Sequence, residues 1–250
     1  MTWEKSWQNA ERMKPDPLST LFAELGRLRE LGKAEQELQR RGYLRVAGVD
    51  EAGRGALAGP VVAAAVILPA GCLLVGIDDS KRLDAPSRER LEPAIRSHAI
   101  AVGVGVVSAA EIDLRDILRA SLAAMRLAIL ALDPPPDALL LDAVSLPGIR
   151  LPQLPIVHGD ALCSSVAAAS IVAKVARDRI LHDLARRFPA YGFEHHKGYG
   201  TAEHWQALSI HGPCPEHRLS YRGVVPGTGE PEPLISSPRH ARAGKIHPTS

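Results

Sequence analysis

The sequence contains no run of about eighteen uncharged apolar residues, so nothing in it reads as a membrane-spanning helix. Its cysteines, Cys72, Cys163 and Cys214, lie far apart without CxxC spacing. That argues against a cysteine-based zinc site and leaves free thiols in a reducing compartment as the expectation. A large excess of either charge is also missing. The formal net charge of +2 names no partner, although a modest total can hide a basic face. There is no GxxxxGK[ST] segment, which weakens a nucleotide-binding phosphotransferase reading. No internal repeat is visible. The opening residues, MTWEKSWQNAERMKPD, are polar and acid-bearing, unlike a signal peptide. A cytoplasmic protein, away from membranes, is expected. His211, Cys214 and His217 form an HxxCxxH run, but a Pro-rich turn with no fourth ligand nearby makes a metal site there the weaker reading.

What is present fits an α/β chain with a sizeable core, since 46% of its 250 residues are hydrophobic. Residues 1–16 read as a loose polar arm. Leu18, Leu21, Phe22, Leu25 and Leu28 then repeat at helical spacing, predicting an amphipathic helix over 17–41 that breaks near Gly32. It would brace the main domain or, on a sharper reading, contact DNA. Apolar, β-branched runs predict strands at 43–49, 60–68, 99–107, 137–141 and 154–158. Between them, Asp84 can cap a helix over 86–98, and Ser108 with Glu111 makes a capping box opening a helix to about Leu132, where PPP ends it. A long helix is expected over 164–188, with Arg177, Asp178, Arg186 and Arg187 toward water, and a last one over 202–210 capped by Thr201. Three strands in a hairpin-like group followed by alternating strands and helices predict a mixed sheet flanked by helices. The expected units are 1–42, an arm and helix; 43–225, the main domain; and 226–250, a Pro/Gly-rich tail expected to be disordered.

The chemistry concentrates at VAGVDEAGRGALAGP, residues 46–60, where an apolar strand runs into adjacent acids, Asp50 and Glu51. Neighbours on a strand point to opposite faces, so both reach one site only if the chain turns there, and Gly53 and Gly55 would allow that turn. A capping Asp beside a solvated Glu is the plainer reading, and the dipeptide alone does not choose. Asp142 at another strand end and Asp160 in HGD tilt the choice. Carboxylate clusters from separate strand ends suit hard cations, Mg²⁺ or Mn²⁺, and two such ions about 4 Å apart support in-line phosphodiester displacement. Ser80, Lys81, Lys174 and the HKGYGT segment add phosphate-handling groups. His195 and His196 are expected to face solvent. Tyr199, between glycines, is expected to be an exposed stacking platform rather than core filling.

At this point the residues resemble a known family. VAGVDEAGRG, DSKRL, LLLDAVSLP, GDALCSSVAAASIVAKVARD, YGFEHHKGYGT and HRLSY are similar, in this order, to the motifs of bacterial ribonuclease HII, over about residues 43–225. The resemblance implies an RNase H-like mixed sheet with a C-terminal helical part. It also implies cleavage 5′ to a ribonucleotide in duplex DNA, or within RNA–DNA hybrid, with Mn²⁺ or Mg²⁺. By the same resemblance Asp50, Glu51, Asp142 and Asp160 are the catalytic, metal-binding carboxylates. Gly53, Arg54 and Gly55 match the element that senses the ribose 2′-hydroxyl and holds the neighbouring phosphate. Tyr199 matches the residue that packs on the adjoining deoxyribose. The 2′-hydroxyl is what separates RNA from DNA at a site.

Two positions depart from the pattern. His158 stands where many members carry Lys, which would weaken local phosphate attraction, and Tyr221 stands where Phe is usual. The related HIII type carries a larger N-terminal domain and a glutamate as fourth acid, so Asp160 favours HII. A monomer is expected, and a replication-clamp-type partner stays open. A non-catalytic junction-binding module is disfavoured, because carboxylates facing phosphates oppose binding unless metals intervene.

Overall fold

The computed structural model describes residues 16–225. The predicted polar arm, apart from its last residue, and the predicted tail lie outside the described residues. Asp16 caps α1 (Pro17–Leu31), which meets α2 (Lys33–Arg40) at Gly32, as the sequence suggests. The strands β1 (Val46–Ala52) and β2 (Val61–Ile67) form an antiparallel pair. After α3 (Ala85–His98), capped by Asp84, β3 (Ala101–Val107) adds a third antiparallel strand. The single helix expected after Ser108 is two helices, α4 (Ala109–Arg115) and α5 (Ile117–Leu130). The break falls at Asp116, whose φ of 80° is left-handed and whose carboxylate accepts the Arg119 amide to cap the second helix. Then come β4 (Ala138–Asp142) and β5 (Gln153–Ile156), both parallel to the sheet's centre, giving the order β3-β2-β1-β4-β5. The mixed sheet is the predicted one.

Helices cover both faces. On one, Ala120, Ala124 and Ala128 of α5 lie over β3, where a Cβ on Gly103 or Gly105 would meet α5 carbonyls at 2.0 Å. On the other lies α7 (Ser164–Arg187), preceded by the short α6 (Gly159–Leu162). A Cβ on Gly48 would come within 2.1 Å of the Ser165 backbone, so glycine is required there for α7 to touch β1. Leu28 and Leu31 of α1 join the core under α7, and Glu35 of α2 accepts both the amide and the hydroxyl of Ser165 at 2.7 Å. The N-terminal helices are therefore a brace, and α7 borrows its cap from them. No helix of the described residues is long and apolar enough to cross a membrane.

A C-terminal layer follows: a 3-10 turn (Pro189–Tyr191), α8 (Phe193–His196) and α9 (Ala202–His211), packed on the end of α7. Its centre is a set of imidazoles. His196, expected to face solvent, is buried instead, stacked on His204 at 4.3 Å, while His195 is exposed. The hydrogen bonds fix each tautomer. His204 Nδ1 donates to the Tyr199 carbonyl at 2.9 Å, so its Nε2 must accept from His217 Nε2 at 3.0 Å. His217 Nδ1 then accepts the Cys214 amide at 2.9 Å, and His196 Nδ1 accepts the Gly198 amide at 3.2 Å. Of the HxxCxxH run, Cys214 and His217 serve this network, whereas His211 meets Tyr191 edge-on. An added proton would set two N–H groups against each other.

Two stability predictions follow from this packing. Glu35→Ala, which strips a buried cap of two hydrogen bonds, is expected to cost about 1–3 kcal/mol in urea unfolding, and an unchanged midpoint would refute the bracing role. Burial pushes both His204 and His217 down to about 4 from an ordinary 6.5. The unfolded chain thus takes up protons first as pH falls, and this contribution is present above 6.5 and lost progressively toward 4. Unfolding midpoints should fall across that window, less steeply in His217→Gln. A flat profile in the parent protein would exclude the neutral network.

Candidate active site

The parallel pairing of β1 with β4 places Val49 opposite Leu141, so Asp50 and Asp142 follow side by side at the strand ends. Asp50 shares the sheet face of Gly48, toward α7, and Glu51 takes the opposite face. The strand does not turn at the acids as anticipated. It runs on to Ala52 and turns at Gly53, whose φ is +95°. Beyond Asp142 the chain bends through Ala143, and it enters α6 through His158, at φ of 54° and 60°. Left-handed backbone without glycine costs about 1–2 kcal/mol per residue, strain of the kind that gathers around functional sites. The bends bring the Gly159 amide onto Asp142 Oδ1 at 2.9 Å and bury Asp160 beside it. The His158 side chain is exposed.

The acids repel one another. Burial, then the charge of Glu51, holds the Asp50 carboxyl well above its ordinary range, and Asp142 adds to the effect. Burial also raises Glu51, against the pull of Arg54, whose Nη1 lies 3.3 Å from Glu51 Oε1. Lys81, otherwise exposed, reaches in to Asp160 Oδ2 at 3.0 Å. Burial works against its charge, but Asp160, Asp79 and Asp50 outweigh it and raise its pKa. Ser80 is buried, and its hydroxyl meets that of Ser170 on α7 at 2.7 Å rather than facing solvent. Among the described residues no three His, Cys, Asp or Glu side chains form a finished metal-binding set. The donor chemistry fits one nonetheless. An oxygen-only group in which burial, then neighbouring acids, disfavour the charged form of a carboxyl is what a hard divalent cation relieves.

Beside the acids lies the Gly53–Gly55 turn. The amides of Gly53, Arg54 and Gly55 donate to no group among the described residues. Successive free amides of this kind make an anion-binding concavity. A Cβ on Gly53 would fall 2.0 Å from Arg177 Nε, and Arg177 is the residue most misjudged from sequence. Expected toward water, it is 0% exposed and donates to the carbonyls of Pro60, Ala58 and Lys197. Burial pushes it down to about 10, so it stays charged at neutral pH. Its position four residues from both Ala173 and Leu181, each fully buried, was the available signal. Arg218, also missed and also 0% exposed, donates to the carbonyls of Gly59 and Arg54, at 3.0 and 2.8 Å.

Tyr199 faces this turn across a hollow of about 620 Å³ shared with Gly55, Leu57, Trp205 and Tyr221. Its ring is partly open, 38% exposed, and sits under two cations, Arg177 at 5.3 Å and Lys174 at 5.8 Å. Lys174 is half-buried, with its ammonium on Asp178 at 2.7 Å. The acids, the Gly53–Gly55 turn, Lys81, Lys174 and Tyr199 thus gather around the C-terminal ends of β1 and β4, and Ser80 lies beneath them.

The family model for ribonuclease HII matches residues 47–224. Ribonuclease HII of Geobacillus kaustophilus is 54% identical over 198 residues, 79% of this chain and 76% of that protein. Ribonuclease HII of Geobacter metallireducens is 54% identical over 204 residues, 82% and 95% respectively. Among solved structures, ribonuclease H2 from Pyrococcus horikoshii aligns with a TM-score of 0.62 at 25% identity, covering 72% of this chain and 95% of that one. The RNase HII of the PCNA complex from Archaeoglobus fulgidus aligns at 0.61 and 28% identity, covering 72% and 96%. Fold, motif order and sequence agree, and the chain belongs to the ribonuclease HII family, a ribonuclease H endonuclease.

Proposed function

We propose that this enzyme nicks duplex DNA on the 5′ side of an embedded ribonucleotide, and degrades the RNA of RNA–DNA hybrids, leaving 5′-phosphate ends. The observation that carries this reading is the adjacency of the acids at the β1 and β4 ends to a turn whose three amides have no acceptor among the described residues. Asp50, Glu51, Asp142 and Asp160 would hold the cations. When bound, two Mg²⁺ or Mn²⁺ ions would activate water and neutralise charge at the scissile phosphate. Bst-RNase HIII, similar in fold, has been solved in complex with Mn²⁺. The chain's own groups do the rest. The Gly53–Gly55 amides receive the ribose hydroxyl and its neighbouring phosphate, Lys81 and Lys174 attract flanking phosphates, and Tyr199 packs on the sugar that follows. Ser80 acts from beneath, holding Ser170 at the Asp50 face of α7.

The catalytic unit is assigned to residues 43–225 with α1 and α2 as its brace, acting as a monomer. A clamp-type partner is carried over on the precedent of the Archaeoglobus fulgidus complex alone.

Purified protein is expected to nick a duplex carrying one ribonucleotide only when Mn²⁺ or Mg²⁺ is added, and Asp50→Asn to lose on the order of a hundredfold or more in rate. Full activity in that variant would remove Asp50 from the chemistry. Tyr199→Ala should lose roughly tenfold more at single ribonucleotides than on long hybrids, the scale of one lost stacking contact. Equal losses on both substrates would make Tyr199 structural.

A further inference from the structure

A peptide bond is planar and trans, so its carbonyl and the following amide point in opposite directions. Fixing one therefore aims the other. The buried guanidiniums hold five carbonyls: Arg54, Ala58, Gly59, Pro60 and Lys197. Two of the opposite amides have partners inside the protein: Gly59 donates to the Glu216 carbonyl at 2.8 Å and Gly198 to His196 Nδ1. The amide of Val61 opens β2, and Pro60 has none. The amide of Gly55 has no acceptor among the described residues, and Gly55 is exposed, with nothing within 4 Å of where a Cβ would lie.

The Arg54 carbonyl is also the one held twice. Arg218 Nη1 donates to it at 2.8 Å and to the Tyr221 hydroxyl at 3.0 Å, and that hydroxyl donates its own proton to the same carbonyl. The three groups close a ring in which every proton is placed. A phenylalanine at 221 would keep the aromatic packing under Arg218, whose Cζ sits 5.2 Å from the ring centre, but would open the ring of hydrogen bonds. The segment is anchored from behind by Asp113 of α4, which accepts the amides of Leu219 and Ser220 at 2.8 and 2.9 Å.

We propose that Arg218 and Tyr221 form a latch on the Arg54 carbonyl that aims the Gly55 amide at the ribonucleotide, making the Tyr221 hydroxyl a positioning residue for substrate recognition. The latch rests on reading the Gly53–Gly55 amides as substrate contacts. It acts on binding rather than on the acids, so its loss should appear in KM and leave kcat nearly unchanged.

The test is Tyr221→Phe, which removes one oxygen and keeps the ring. Its KM for the single-ribonucleotide duplex should rise roughly three- to tenfold, the value of one net hydrogen bond, with kcat within about twofold of the parent. Arg218→Lys, which keeps charge but cannot span both carbonyls, should raise KM further. The second readout is amide exchange at Gly55 in Asp50→Asn, whose slowed cleavage keeps the duplex largely intact during the measurement. Bound duplex should slow that exchange, and less so when Tyr221→Phe is added. Unchanged KM together with equal protection in both backgrounds would overturn the latch alone. No protection at Gly55 even with Tyr221 intact would overturn the reading of the amides as substrate contacts, and the latch with it.

Discussion

The contact between α7 and β1 at Gly48 sets the geometry of the site. Only a residue without a Cβ lets the helix backbone reach the strand there, and every later register along α7 follows from that point. Ser165 lands on Glu35, Ser170 on the Asp50 side of the sheet, Lys174 and Arg177 over the Tyr199 ring, and Leu181 in the C-terminal layer. One helix thus ties the N-terminal brace, the acidic strand ends and the Gly53–Gly55 turn together. A shift of α7 by one residue would rotate each of these side chains away from its partner, since successive helical positions differ by about 100°.

What the sequence made legible was whatever local chemistry dictates. The apolar runs gave the strands and the mixed class of the sheet, Asp84, Ser108 and Thr201 marked helix starts, and Gly32 marked the break between the first two helices. The acids were legible because charged residues at the ends of buried strands are costly and therefore conspicuous. The turn was mislocated because glycines were read as bending the chain at Asp50 and Glu51, whereas the ladder with β2 continues through both.

The polar residues turned inward were not legible. Arg177 looks like any charged residue on a long helix, and Arg218 stands in a loop without periodicity. Burying either depends on backbone carbonyls from distant segments, which no local pattern announces. His196 was misjudged for the same reason, since its acceptor and donor are the Tyr191 carbonyl and the Gly198 amide, set by the tertiary turn. The break at Asp116 shows the converse case, a local cap hidden inside an otherwise continuous helical pattern.

The two buried arginines also explain how one small region can bear both a negative and a positive job. Their partners are carbonyls, which satisfy geometry without cancelling charge. Had carboxylates taken that place, as Glu92 does for Arg96 and Arg179, they would cancel part of that charge. Instead positive charge stays behind the Gly53–Gly55 turn and Tyr199, in a low-dielectric setting where it is weakly screened. Burial is the main force lowering both, the charge of Arg218 adds to it at Arg177, and Arg177, at about 10, keeps its charge at neutral pH. A few residues away, Asp50, Glu51, Asp142 and Asp160 concentrate the opposite sign. On the proposed reading, a phosphodiester lying across both would meet attraction on the turn side and repulsion on the acid side, making cation binding a condition for productive docking as well as for chemistry.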